Sequence, residues 1–308
     1  MFAEVNAHIL KPALVNGVAI SSLYGVLAIA LVLTFRMSRT VAFVHGGIAS
    51  FAGYLYWWMA ATSSSQFHVL GWPKIPSLLL AVLFGAVAGM AFGSVVMGRM
   101  ATWPRVVVTT FSLGGMLMAA GLAGTIWRGA FERVPSPFGN GRRQIWGTGV
   151  TNHQLVTVVL LVVLVSTLTV VLQRTRLGIQ IRAIADDVEG AAMCGIPVRR
   201  VATAVWTVGG ALAGLAGALV VPMTSLTELA VLFVLMRSLA AAVLGGFDSL
   251  PLALAGAVLF GLVESLVGGG VFGIVSSGAR EVLLMALLFA GIVLMGRRRG
   301  RVLNLLEA

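Results

Sequence analysis

An all-α, polytopic bundle of about eight to ten membrane-spanning helices is the architecture this chain encodes, and two observations point to it. The first is composition. Of 308 residues, 59% are hydrophobic and 10% charged, and the mean hydropathy is +1.01, which is more apolar surface than a soluble fold of that length can bury. The second is pattern: the apolar residues fall in runs close to the roughly 20 residues that a helix needs to cross a bilayer, separated by short polar breaks. A single transmembrane domain, 1–308, follows, with no soluble linker, low-complexity tract or short-period repeat in it.

Taken in order, the runs are 13–35, 41–60, 77–97, 106–127, 153–172, 201–221, 229–245, 251–268 and 280–296. The first follows Lys11 and contains Ala28-Ile29-Ala30, which resembles a signal-cleavage site; the apolar stretch from Ala13 to Phe35 is too long for a signal peptide and reads as a span. The third run carries Gly85, Gly89 and Gly93, and the sixth carries Gly210 and Gly214 with Gly217 nearby. Such stripes let helix backbones approach closely, either as plain packing or beside a substrate path. The seventh run is short and holds Arg237 in its middle.

Charge orients the bundle. The formal net charge of +11 comes from 21 basic residues against 10 acidic ones. A nucleic-acid binder would gather such an excess on a soluble, aromatic-studded face; here it sits in short loops, so nucleic acid is excluded as a partner and the lipid bilayer is the expected one. Arg36 and Arg39, Arg99 and Arg105, Arg174 to Arg200, and the closing "GRRRGR" all fall on one side of a nine-pass count. That side is cytoplasmic by the positive-inside rule, which places the C-terminus in the cytoplasm of a multi-pass inner-membrane protein. One loop breaks the rule: 128–152 carries Arg128, Arg133, Arg142 and Arg143 on the outer side. Either a long loop tolerates the charge or these residues form a docking face for a partner. The single cysteine, Cys194, rules out an internal disulfide and any multi-cysteine metal site.

The polar, charge-rich interruption at 182–200 has helix punctuation. Asp186 with Glu189 has the form of a capped start, residues 187–194 suffice for two turns, and Gly195 with Pro197 ends them. Val188, Ala191 and Ala192 offer one apolar face, while Asp187 and Glu189 charge the other, so the helix can lie at the membrane surface and meet a partner. Arg182, Arg199 and Arg200 flank it. By residue type alone, a solvated loop helix fits as well.

Within the spans, His45 stands before Gly46 and Gly47. It is either a helix-helix hydrogen-bond partner or, if the glycines break the helix, a pathway or gating residue. Arg237 and Glu264 are the ionisable residues deepest in the runs, and charge in hydrocarbon must be paired or wetted. Measured from the turn near Phe247–Leu250, Arg237 lies about 14 Å away and Glu264 about 21 Å, a mismatch only long side chains can bridge. A structural ion pair and a cavity-lining role both remain open.

No Gly-x-x-x-x-Gly-Lys-Ser/Thr phosphate loop occurs, and neither lysine, Lys11 or Lys74, follows a glycine. ATP is therefore not expected as a cofactor of this chain. An intramembrane protease would need a serine with histidine, paired aspartates or a His-Glu-x-x-His helix, and the spans hold none. A secondary transporter or channel would be expected to show paired mid-span carboxylates for ion coupling, where only Glu264 stands.

The run "RAIADDVEGAAMCGIPVRRV" followed by "GGALAGLAGAL" resembles the cytoplasmic coupling segment and next helix of Liv-type branched-chain amino acid ABC transporter permeases. "LVNGVAISSLYGVLAIALVLTF" at 14–35 is similar to their first helix, with Asn16 and Tyr24 in the expected places. "AFVHGGIASFAGY" at 42–54 and "AAVLGGFDSLPLALAGAVLFGLVESL" at 241–266 resemble two further segments. The chain departs from the pattern at Ala42, where asparagine is expected, and at Leu252, where glycine is usual.

The resemblance implies a type II-like ABC importer permease without ATPase activity of its own. Separate ABC ATPase subunits would use the ATP and grip Arg182, Asp186, Asp187, Glu189, Ala191, Ala192 and Gly195. Asn16, Tyr24, His45, Gly46, Arg237 and Glu264 become candidates for the substrate path. Arg128, Arg133, Arg142 and Arg143 become candidates for docking an extracytoplasmic binding protein. A second permease chain, identical or homologous, completes the expected assembly, and the expected cargo is a branched-chain or other small amino acid, or an amide such as urea. A ribose-type sugar permease is the alternative.

Overall fold

The computed structural model describes residues 2–61, 69–99, 103–127, 134, 136–139, 141–145, 147–223, 228–247, 249–268, 282–283 and 285–286. The helices are α1 (Phe2–Ser38), α2 (Val44–Ala60), α3 (Lys74–Arg99), α4 (Arg105–Trp127), α5 (Asn152–Arg174), α6 (Arg176–Asp186), α7 (Val188–Met193), α8 (Val198–Val220), α9 (Glu228–Leu244) and α10 (Leu250–Gly268). Six of them, α1, α3, α4, α5, α8 and α10, are long and apolar enough to cross a membrane. The first eight predicted runs each fall on a helix; the ninth, 280–296, lies almost wholly outside the described residues.

The chain is a multi-pass helical bundle whose centre is built by α1, α2 and α8. α5, α9 and α10 pack on the α1 side, and α3 and α4 on the α2 side. α2 has 17 residues, of which 14 are buried. At 1.5 Å rise per residue it is about 26 Å long, short for a bilayer, but a helix enclosed by other helices need not match the lipid thickness.

Close packing rests on the glycine stripes. A Cβ on Gly85 would meet Gly214 Cα at 2.9 Å, and one on Gly210 would stand 2.7 Å from Gly89 Cα. α3 and α8 therefore touch backbone to backbone along an antiparallel seam, which leaves no room for any side chain larger than hydrogen. Gly17 and Gly261 make a second such contact between α1 and α10, where a Cβ on Gly261 would lie 2.6 Å from the Gly17 carbonyl oxygen.

The bundle is helical as expected, and the loop between α4 and α5 adds one short antiparallel hairpin, Arg142–Ile145 (β1) with Thr148–Thr151 (β2). Its last residue starts α5 through a capping box, with Thr151 N–H donating to Gln154 Oε1 at 2.9 Å and Gln154 N–H to Thr151 Oγ1 at 3.3 Å. Two expectations are corrected. First, α1 continues N-terminally through Pro12 beyond the predicted start at 13. Second, Gly46 and Gly47 do not break α2. They accept neighbours instead, Gly46 the Leu235 side chain and Gly47 the backbone of Met116 on α4.

Helix alternation puts the C-terminal ends of α1, α3, α5 and α9 at one face of the bundle. Phe35 on α1 and Phe247 after α9 meet there with ring centroids 4.3 Å apart and planes tilted by 31°. The α6–α7 elbow shares that face, linking the end of α5 to the start of α8. The β1–β2 hairpin precedes α5 at the opposite face.

Candidate functional site

The elbow is built from the end of α5. Thr175 Oγ1 donates to the Val171 carbonyl at 2.6 Å as α5 stops, and Gly178 presses so closely on the Leu172 carbonyl that no side chain fits there. The Arg182 guanidinium donates to that same carbonyl at 2.7 Å. A helix C-terminus presents carbonyls without intrahelical partners, and a cation supplies both the hydrogen bond and the charge they favour. Gly178, Ile181 and Ile184 are the buried positions of α6, which seats on α1, α5 and α8.

α7 then juts from this base. Its cap is Asp187, whose Oδ1 accepts the Glu189 amide at 3.0 Å, whereas Asp186 is the last residue of α6. The expected cap position is therefore corrected by one residue, because α6 was not foreseen and absorbs Asp186. At the other end Ile196 N–H donates to the Ala191 carbonyl and Gly195 N–H to Ala192, with Gly195 at φ +80°. That pair of bonds is a Schellman ending, which needs a left-handed residue and explains the glycine. Asp186, Asp187, Glu189, Ala192, Met193, Cys194 and Gly195 are exposed. Ala191 is buried. Of the coupling residues expected from sequence, buried Ala191 and exposed Arg182, through its bond to the Leu172 carbonyl, fasten the elbow to the bundle, and the other five are open to an approaching surface.

A second cluster lies in the bundle. The Tyr24 hydroxyl donates to Glu264 Oε2, Arg237 Nη1 stands 3.2 Å from Glu264 Oε1, and Arg237 Nη1 also donates to the Tyr24 hydroxyl oxygen at 3.2 Å. The guanidinium carbon sits 5.7 Å from the ring centres of both Tyr24 and Phe233, within cation-π range. So α1, α9 and α10 each contribute one member of a closed hydrogen-bonded triangle. The predicted axial mismatch is bridged by the two long side chains and by Tyr24 between them.

The remaining path candidates do not join this triangle. Asn16 lies half-buried about two turns before Tyr24 on α1. His45 is fully buried, with Nδ1–H donating to the Ala42 carbonyl at 3.0 Å and its ring stacked on Trp206 at 5.5 Å. Its Nε2 has no partner among the described residues and faces Gly209, where a Cβ would lie 2.7 Å away. Of the docking candidates, Arg142 and Arg143 are exposed on β1, and Arg128 and Arg133 lie outside the described residues. Among the described residues no group of three or more His, Cys, Asp or Glu is placed to hold a metal ion.

His153 carries no sequence signal of its own. Its Nε2–H donates to the Leu219 carbonyl at 3.0 Å and its ring stacks on Phe138, tying the start of α5 to the end of α8. Thr151-x-x-Gln154, a capping-box spacing, was the local signal that a defined helix start lay beside it.

Close-packed helix seams, a mid-bundle charge cluster and a surface elbow joining two apolar helices mark a polytopic helical membrane protein. The family model for the branched-chain amino acid transport system permease component matches residues 13–296, and the chain belongs to that family. The chain is 23% identical over 286 residues to the high-affinity branched-chain amino acid transport system permease protein LivH of Escherichia coli K12, covering 91% of this chain and 92% of LivH. It is 26% identical over 300 residues to the corresponding permease BraD of Pseudomonas aeruginosa, covering 92% and 95%. The fructose import permease FrcC of Rhizobium meliloti is 34% identical over 128 residues, 40% of this chain and 33% of FrcC. No solved structure matches. The chain is thus a multi-pass inner-membrane permease subunit of the ABC-importer class, a transport component whose family membership implies ATPase partners.

Proposed function

We propose that this permease imports branched-chain amino acids, or another small amino acid or amide such as urea, by alternating access. Separate ATPase subunits bind the exposed face of α7, and their closure on ATP pushes the elbow. The observation that carries this reading is the construction of the elbow: a short helix capped at both ends, standing out from the bundle on a base held by Arg182 and Ala191. A peg of this kind transmits a push, where a loop would absorb it. The push enters α5 and α8 together, and because α8 is seated backbone to backbone on α3, the three helices move as a unit.

The relatives' names support the amino acid cargo, since LivH and BraD are each branched-chain amino acid permeases. The partial match to a fructose permease supports a sugar permease as the second reading. The assembly has a second permease chain, identical or homologous, and receives cargo from an extracytoplasmic binding protein at the outer face, with Arg142 and Arg143 offering positive charge to acidic lobes. The C-terminus is cytoplasmic on the arginine count.

The experiment is to break α7 with Glu189→Pro and Ala192→Pro together and to pull down the co-expressed ATPase subunits. The variant chain is expected to accumulate in the membrane and to lose the ATPases. Undiminished capture would remove α7 from the coupling role. Thermal-shift screening of the binding protein with amino acids, urea and sugars then reads the cargo class directly.

A further inference from the structure

The triangle of Tyr24, Arg237 and Glu264 lies within the span and yet is not sealed. Arg237 keeps 12% of its side chain accessible and Glu264 10%. Phe233, one turn earlier on the same face of α9, is 41% exposed. A guanidinium is not left facing hydrocarbon, so this side of α9 looks onto water or another protein chain. Fold stability gives a weak reason to keep the charges, because a buried ion pair can commonly be exchanged for apolar side chains of similar volume at little cost. The packing of α1 on α10 is already secured by Gly17 and Gly261.

What the cluster offers chemically is a cation and an anion 3.2 Å apart beside an exposed aromatic ring. A free amino acid carries the complementary set: a carboxylate, an ammonium and a side chain. We propose that this cluster is a transient binding site for the zwitterionic head of an amino acid in transit, which opens the ion pair and replaces it with two new ones. The α-carboxylate takes Arg237, the α-ammonium takes Glu264, and an apolar side chain rests on Phe233. The Tyr24 hydroxyl, which both donates and accepts, stays bonded to whichever partner is being exchanged. The local charge sums to zero before, during and after the exchange, so no uncompensated charge is ever buried. A sugar or urea has no charged pair with which to open the site.

This inference rests on the importer reading above, and the test separates the two. The chain is reconstituted in proteoliposomes with its ATPases, second permease and binding protein, and labelled leucine moved per ATP hydrolysed is measured. A wild-type assembly that captures no ATPase sinks the importer reading before any variant is made, and one that captures ATPase but moves no amino acid overturns the exchange site alone. In the neutral pair Arg237→Met with Glu264→Gln, leucine per ATP is expected to fall by about tenfold or more, and a ratio within about twofold of wild type overturns the proposal. If the neutral pair does not assemble, Glu264→Asp keeps the charge and withdraws the carboxylate by one methylene. A fall of about threefold or more in the same ratio then supports the exchange site, and an unchanged ratio overturns it. Failure of that mild variant to assemble also overturns it, by marking the pair as a structural lock.

Discussion

Two helices of this protein invite comparison because hydropathy ranks them in the wrong order. The span of α5, Asn152–Arg174, has a mean hydropathy of 3.0, and the α1 span Leu10–Ser38 has 2.3. The more apolar helix lies at the rim with 22% of its window buried, and the less apolar one lies in the centre with 83% buried. In a bilayer the lipid tails are as apolar as leucine, so hydrophobicity gives a helix no reason to move inward. Close backbone approach and polar side chains that can be satisfied give it that reason. α1 carries Gly17, Ser21, Ser22, Tyr24 and Gly25 on successive turns, with Ser21 and Ser22 donating to the Val18 and Ala19 carbonyls. α5 presents Val159, Val162, Val163 and Val170 outward.

The comparison is broken most severely by adding bulk to an interior seam. Gly210→Leu places a side chain into the backbone of α3, where even a Cβ lies 2.7 Å from Gly89 Cα. The helices cannot separate by the several ångströms required without opening the whole α3–α8 interface. The expected outcome is loss of any monodisperse peak on size exclusion in detergent. A folded, wild-type-like peak would mean that the two backbones are not in contact.

Next in size is removal of one charge from the triangle. Glu264→Ala leaves Arg237 beside an empty carboxylate site within the span. Breaking a buried pair from one side costs about 3–5 kcal/mol. Thermal stability in detergent should fall sharply in this variant and in Arg237→Ala. The double variant should recover much of the loss, since no uncompensated charge remains. Additive losses in that cycle would mean that the two residues do not stabilise one another.

How much of this was legible beforehand depends on what the signal was. Every described span was visible as an apolar run, because length and apolarity are local properties. The glycine seams were visible as stripes, but their partners were not, since the pairing of Gly85 with Gly214 depends on how helices far apart in the chain meet. Arg237 and Glu264 were singled out by cost alone, and the structure joins them. Tyr24, the third member, carries no such cost and was noticed only through family resemblance. α6 was missed because its buried Gly178, Ile181 and Ile184 alternate with arginines, so its mean hydropathy hides a one-sided helix. Gly46 and Gly47 do not break α2, because glycine in a membrane helix more often marks a close neighbour than a kink.

A smaller effect sharpens the interior side of the comparison. Tyr24→Phe keeps the ring over which Arg237 lies and deletes only the hydroxyl, leaving the Arg237–Glu264 contact in place. The loss of a hydrogen bond to a charged group amounts to about 1.5–3 kcal/mol, and this variant should fall at the lower end because both charges keep each other. A melting temperature lowered by no more than Glu264→Ala lowers it, and by more than any rim substitution does, is the expected order.

The smallest effect belongs to the rim. Val159→Ala on α5 removes two methyl groups from a side chain that is 62% exposed. In water this would alter the hydrophobic driving force slightly; in a bilayer the methyls exchange one apolar contact for another, and no cavity opens because lipid fills the space. The expected change is within about 0.5 kcal/mol, the range of surface substitutions away from special features. Val165→Ala, about 1.7 turns further along the same helix, probes the inward side, since Val165 is 6% exposed and packed in the core cluster. It should cost about 1–3 kcal/mol through lost packing and the cavity left behind. Equal melting temperatures for the two variants would mean that α5 does not present one face to lipid and the other to protein, and the assignment of rim and centre would have to be redrawn.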